Sequence, residues 1–91
     1  MSPTEVEGVL AHHAAVRDVC IVGALDEEWG ERVVAYVVAS DAQRPPSLDA
    51  LRDFARTELS AAKLPRELVI VDEIPRSPGG KPLRRLLRSD A

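Results

Sequence analysis

With 91 residues and 9.9 kDa, the chain has room for one small core and is too short for a complete enzyme of most nucleotide-using classes. Hydrophobic residues at 45% and charged residues at 30% give the balance of a soluble globular domain rather than a disordered one, and no apolar run approaches the ~18 residues of a membrane span. Net charge is −3, divided into +4 over residues 76–91 (five cations, one acid) and −7 over residues 1–75 (seven cations, fourteen acids). A basic end on an acidic body points to an anionic contact for that end alone. Nucleic acid is excluded as a partner, because one Trp, one Tyr and one Phe cannot build a base-stacking platform.

The chain opens on Ser2-Pro3-Thr4-Glu5, which is a helix start rather than a signal peptide: Ser2 caps, Pro3 takes the first helical position and Glu5 completes a capping box. Val6, Val9 and Leu10 share one face with Ala14 a turn beyond, and the helix should end near His12 and His13. Adjacent histidines do not share a helix face, so no metal pair is expected there and no metal site is assigned. Val19-Cys20-Ile21-Val22, stopped by Gly23, reads as a strand buried on both faces. Cys20, as the single cysteine, excludes an internal disulfide framework and fits a reducing, cytoplasmic setting with an inert core thiol.

Residues 24–30 read as a polar loop and residues 33–39 as a second strand of β-branched and aromatic residues. Residues 41–46 form a surface loop. Ser47 caps a second helix with Leu48, Leu51, Phe54, Ala55 and Leu59 on its core side and Arg52 and Arg56 on another. Pro65 stops any extension, Leu68-Val69-Ile70-Val71 is a third strand, and residues 75–80 are a loop with two prolines and two glycines. Pro82 opens a last short helix with Leu83, Leu86 and Leu87 inward and Arg84, Arg85 and Arg88 outward. The order α-β-β-α-β-α predicts an α+β domain, a small three-stranded sheet packed with about three helices.

The chemistry concentrates in Pro75-Arg76-Ser77-Pro78-Gly79-Gly80-Lys81. Two glycines let backbone approach a ligand, and the lysine ammonium suits a phosphate or a developing negative charge. It is not a P-loop, since Gly80-Lys81 is followed by Pro82 and position 75 is not glycine. On its own the loop reads more simply as carrying an exposed turn lysine.

Four blocks in register carry a resemblance: Ser2-Pro3-x-Glu5-Val6-Glu7, Val22-Gly23-x-x-Asp26-x-x-Trp29-Gly30-Glu31, Lys63-x-Pro65, and Pro75-Arg76-x-x-x-Gly80-Lys81-x-x-Arg84-Arg85. Together they resemble the C-terminal domain of the adenylate-forming, AMP-binding superfamily of acyl- and aryl-CoA synthetases, nonribosomal peptide adenylation domains and luciferases. The resemblance implies that residues 1–91 are a mobile C-terminal domain. It swings between two half-reactions against an N-terminal domain that holds ATP, Mg2+ and the carboxylic acid. Lys81 matches the lysine that enters the active site for adenylation, on a loop supported by Ser77, Gly79 and Gly80. The opposite face would meet coenzyme A. Arg56 stands where some synthetases place a phosphate-contacting arginine, and it reads equally as a helix arginine paired with Asp53. Lys63, Trp29 and Gly30 are weaker candidates for the same face; Trp29 also reads as a packing residue.

Gly79 departs from the usual serine before the final Gly-Lys, which is expected to loosen the loop. The loop also resembles the sequence at which related synthetases are acetylated on this lysine. Because the family's hinge would lie upstream of Ser2, the chain is read as a truncated piece, inactive alone, with Met1 added as a start codon. An aryl or medium-chain acyl-CoA ligase is expected, o-succinylbenzoate–CoA ligase among them. The alternatives are a peptide-synthetase adenylation domain and a non-enzymatic α+β ligand-binding module.

Overall fold

In a computed structural model, residues 3–26, 30–82 and 87 are described, without the side chains of Leu25, Asp26 and Glu31. The helix α1 spans Pro3–Leu10, strand β1 Val16–Asp26, strand β2 Gly30–Ala39, helix α2 Leu48–Ala55 and strand β3 Glu67–Ile70, with a 3-10 turn at Ala61–Lys63. The architecture is the expected small α+β one, in the order α-β-β-α-β, around a mixed sheet of order β1-β2-β3. β1 and β2 pair antiparallel from Val16↔Ala39 to Asp26↔Gly30. β2 and β3 pair parallel, Val34↔Glu67 to Val37↔Ile70, and α2 makes the crossover that parallel neighbours need. The last helix expected from Pro82, the Ser2 cap and Trp29 fall outside the described residues, except that Leu87 is helical and half-buried.

Alternation of side chains along β1 explains why one short apolar run is buried on both faces. Val19 and Ile21 join Val33, Ala35 and Val37 beneath the helices, with Val6, Leu10, Leu51, Ala55, Leu59 and Leu64. Cys20 and Val22 point the other way, to a second cluster with Ile74, flanked by Tyr36, Val38, Val71 and Leu87. Cys20 is fully buried, as expected of a core thiol.

Several local expectations are corrected. Gly23 does not stop β1: it pairs with Val33, and the ladder continues to Asp26, into what reads as a polar loop. Backbone hydrogen bonds in a hairpin do not require apolar side chains, so the polar pattern hides the extension. α1 ends at Leu10, which leaves Ala14 exposed in a turn rather than on the helix face. Ser47 caps α2 as expected, accepting from the Ala50 amide at 3.0 Å. Leu51 and Ala55 fill the buried stripe, while Phe54 on its rim is 39% exposed. Its ring instead meets His13 edge-on, centroids 5.0 Å apart.

β1 is an edge strand whose amides need partners. The Ile21 amide donates to Glu7 Oε2 of α1 at 2.7 Å, which ties helix to edge. A bulge between Val16 and Asp18 breaks the register at the start of the strand. Past the bulge, Asp18 falls into phase with Cys20 and Val22, on the sheet face away from the helices.

Candidate functional site

Beyond β3 the chain packs Val71 and Ile74 onto this second face. It then turns back on itself: Arg76 bridges Pro82 in an antiparallel pair, the Ser77 amide donates to the Lys81 carbonyl at 2.8 Å, and the Gly80 amide donates to the Ser77 carbonyl at 2.8 Å. The sequence dictates this tight hairpin. Ser77, Pro78 and Gly80 are the residues favoured at the first, second and fourth positions of a type I turn, and Gly80 has φ of 89°. That left-handed residue must be glycine to avoid a Cβ penalty. Gly79 has no positive φ, and a Cβ there would meet only Ser77 Oγ at 3.9 Å. The missing serine at 79 therefore costs the loop no shape; the backbone is held by the turn and by Ser77, whose Oγ accepts from the Lys81 amide at 3.3 Å.

Alternation along the hairpin sends the two loop cations opposite ways, since Ser77 pairs with Lys81 and Arg76 with Pro82. Lys81 is exposed, and among the described residues its ammonium has no ion-pair or hydrogen-bond partner. Arg76 turns to the body. Its Nη2 donates to Asp18 Oδ1 at 2.6 Å and its Nη1 to the Gly80 carbonyl at 2.9 Å. Asp18 is itself anchored, since the same oxygen accepts from the Val19 amide at 2.9 Å. The hydrogen bond that Arg76 donates to Asp18 and, behind it, that carboxylate's charge raise the Arg76 pKa above its already high ordinary value, outweighing the opposing cost of desolvation.

The candidates for a coenzyme A face are not gathered into one cluster by direct contacts. Arg56, just past α2, pairs with Asp53 at 2.7 Å, both side chains largely exposed. Lys63 in the 3-10 turn pairs with Glu5 of α1 at 2.7 Å. Gly30 starts β2 with φ of 80°, a left-handed backbone angle that favours glycine. Arg52, on the same helix as Arg56, donates to the Pro65 carbonyl at 2.7 Å and so ties α2 to the entry of β3. Among the described residues no three histidine, cysteine or carboxylate side chains converge as a metal site. Sequence reading missed Asp18 altogether, because a lone acid between Arg17 and Val19 carries no motif. The alternation of β1 puts it on the face of Cys20 and Val22, where Arg76 meets it.

The family model for the AMP-binding enzyme C-terminal domain matches residues 5–81, ending on Lys81. The chain belongs to this family. Fatty acid–[acyl-carrier-protein] ligase ScoC of Streptomyces coeruleorubidus is 46% identical over 86 residues, which are 94% of this chain and 16% of that protein. The 3-oxocholest-4-en-26-oate–CoA ligase of Rhodococcus rhodochrous is 49% identical over 80 residues, 88% of this chain and 14% of the other. The solved o-succinylbenzoate CoA synthetase of Bacillus subtilis, in complex with its acyl-adenylate intermediate, superposes with a TM-score of 0.89 at 34% identity, over 100% of this chain and 18% of the other. An AMP-binding enzyme C-terminal domain therefore accounts for a small fraction of each relative's length, and this chain covers that fraction alone.

Proposed function

We propose that residues 1–91 act as the mobile C-terminal domain of an ATP-dependent, AMP-forming acid–CoA ligase, and that Lys81 is its adenylation lysine. In the first half-reaction a carboxylate oxygen of the acid attacks the α-phosphorus of ATP, forming the acyl-adenylate as pyrophosphate leaves. In the second, a thiol sulfur attacks the acyl carbon and AMP leaves. Both attacking carboxylate and triphosphate are anionic, so an ammonium set between them offsets their repulsion and stabilises charge at the α-phosphate. The observation that supports Lys81 in this role is its position: an exposed cation, without a partner among the described residues, on the outer face of a hairpin whose other cation is engaged by Asp18 and the Gly80 carbonyl. ATP, the acid and Mg2+ belong to the N-terminal domain in this reading.

The face that meets coenzyme A is assigned to Arg56, with Lys63, Trp29 and Gly30 as lesser contributors. The Arg56–Asp53 pair is exposed, and such surface pairs contribute only about 0–1 kcal/mol, so a phosphate can take the guanidinium over at little cost. A second thiol acceptor is favoured by one specific finding, the 46% identity to an acyl-carrier-protein ligase. A carrier-borne pantetheine thiol replaces coenzyme A in that case, with the same first step.

The test is Lys81→Ala in the full-length ligase that carries this domain, with the half-reactions measured apart. Acid-dependent ATP–pyrophosphate exchange should fall on the order of 10²–10³-fold. Thioester formation from supplied acyl-adenylate should persist, and comparing free coenzyme A with a loaded carrier protein as acceptor identifies the thiol. Equal rates of exchange in Lys81→Ala and the parent would sink the assignment.

A further inference from the structure

We propose that Arg76 is the positioning residue of the lysine hairpin, fixing through the Gly80 carbonyl the direction in which Lys81 leaves the domain; the proposal rests on the adenylation role assigned to Lys81 above. The chain of contacts is continuous. The Val19 amide holds Asp18 Oδ1 at 2.9 Å, Asp18 Oδ1 accepts from Arg76 Nη2 at 2.6 Å, and Arg76 Nη1 donates to the Gly80 carbonyl at 2.9 Å. The Gly80 carbonyl belongs to the peptide plane that leads into Lys81. A peptide unit is rigid, so holding its oxygen fixes the plane and with it the approach to the Lys81 Cα.

Among the described residues nothing apolar substitutes for this tie at the tip. Pro78, Gly79, Gly80 and Lys81 are all exposed, and the second apolar cluster reaches the segment at Ile74, short of the turn. The turn's own hydrogen bonds shape the hairpin but do not orient it against the sheet. Among the described residues the side-chain contact between hairpin and sheet is the Arg76–Asp18 pair, and the alternation of β1 puts Asp18 in phase with Cys20 and Val22, on the face where that contact is made. The planar guanidinium matters as well, since its two prongs serve two acceptors at once, which a lysine ammonium on a flexible stem does less well.

The consequence is a division of labour between two cations of one loop. Lys81 meets the reacting groups; Arg76 acts only through Lys81. Loss of Arg76 should therefore lower kcat of adenylation without changing KM for ATP or acid, and leave the thiol half-reaction alone.

Arg76→Ala, Arg76→Lys and Asp18→Asn in the full-length ligase, each alone and with Lys81→Ala, test this. Misplacing a reacting group by about 1 Å costs up to ~10²-fold, so Arg76→Ala should lower the exchange rate by roughly 10- to 10²-fold. Arg76→Lys and Asp18→Asn should fall between it and the parent, and Asp18→Asn keeps an oxygen for the Val19 amide should Arg76→Ala fail to fold. In the Lys81→Ala background the Arg76 substitutions should cost nothing further. The proposal is overturned if all three variants exchange within twofold of the parent while Lys81→Ala is impaired. It is equally overturned if they slow both half-reactions alike, or if Arg76→Ala adds its full effect to Lys81→Ala. Should Lys81→Ala itself leave exchange intact, the adenylation role fails, which is a different and recognisable result.

Discussion

On the helical face of the sheet, Val6, Leu10, Ile21, Val37, Leu51 and Ala55 are fully buried, drawn from both helices and two strands. On the opposite face, three buried residues, Cys20, Val22 and Ile74, form the centre of a smaller cluster. What projects from its margin is a hairpin held by an ion pair and one carbonyl contact. The first face is closed by apolar area, which is non-directional and hard to undo; the second ends in polar contacts, which are directional and individually weak. In the function proposed above, a domain keeps its shape while presenting a cation to another lobe, which needs both, and here they lie back to back on three strands.

The sharpest way to break the comparison is to remove a side chain from the helical face. Leu51→Ala truncates a fully buried side chain on the core face of α2. Such substitutions cost about 2–5 kcal/mol, a large share of the ~5–15 kcal/mol that holds a small domain together. Thermal unfolding of the 91-residue chain should show a drop of more than ~10 °C, given ~4–8 °C per kcal/mol for a domain of this size. A change of only a degree or two would mean that the helical face is not where the stability resides.

Residue patterns made much of this fold legible. The period-2 burial of Val19 to Val22, the Ser47 cap with Leu51 and Ala55 behind it, and the turn chemistry of residues 75–80 all act locally, and local physics is what a sequence displays. The parallel pairing of β2 with β3 was not legible, since strand direction depends on where α2 packs. Nor was the extension of β1 past Gly23, which rests on backbone pairing alone. Phe54 misled because helical phase places it beside the core stripe, while the depth of the groove decides its burial. In the candidate site, the lysine, its glycines and the arginine were visible as a motif. Their arrangement was not: that Lys81 faces out and Arg76 in follows from a two-pair ladder, and Asp18 comes from a strand fifty-eight residues away. Long-range polar partners leave no periodic trace.

A smaller effect separates shape from stability within the hairpin. Gly80 has φ of 89°, where a Cβ is strained whatever the surrounding space. Gly80→Ala should carry roughly 1–3 kcal/mol of local strain, relieved by letting the tip depart from its turn. Because the tip buries nothing, thermal unfolding of the 91-residue chain should move by no more than a few degrees. Adenylation in the full-length ligase should nonetheless fall by about tenfold or more, since Lys81 follows directly. If stability and adenylation fell together to the degree seen for Leu51→Ala, the two faces would be one cooperative unit and the comparison would fail.

The smallest effect is expected one residue earlier. Gly79 lacks a positive φ, and an added Cβ finds only Ser77 Oγ at ordinary contact distance, 3.9 Å. A serine there removes backbone freedom from the unfolded chain without straining the folded one, which stabilises by about 0.4–1 kcal/mol where the geometry permits. Gly79→Ser should therefore raise the thermal midpoint slightly and leave adenylation within twofold of the parent. The contrast with Gly80→Ala is the point of the measurement: two adjacent glycines, equally exposed, differ only in backbone angle. A loss of adenylation in Gly79→Ser as large as that in Gly80→Ala would show that the tip must be loose rather than aimed, and the hairpin would then work by reach rather than by fixed direction.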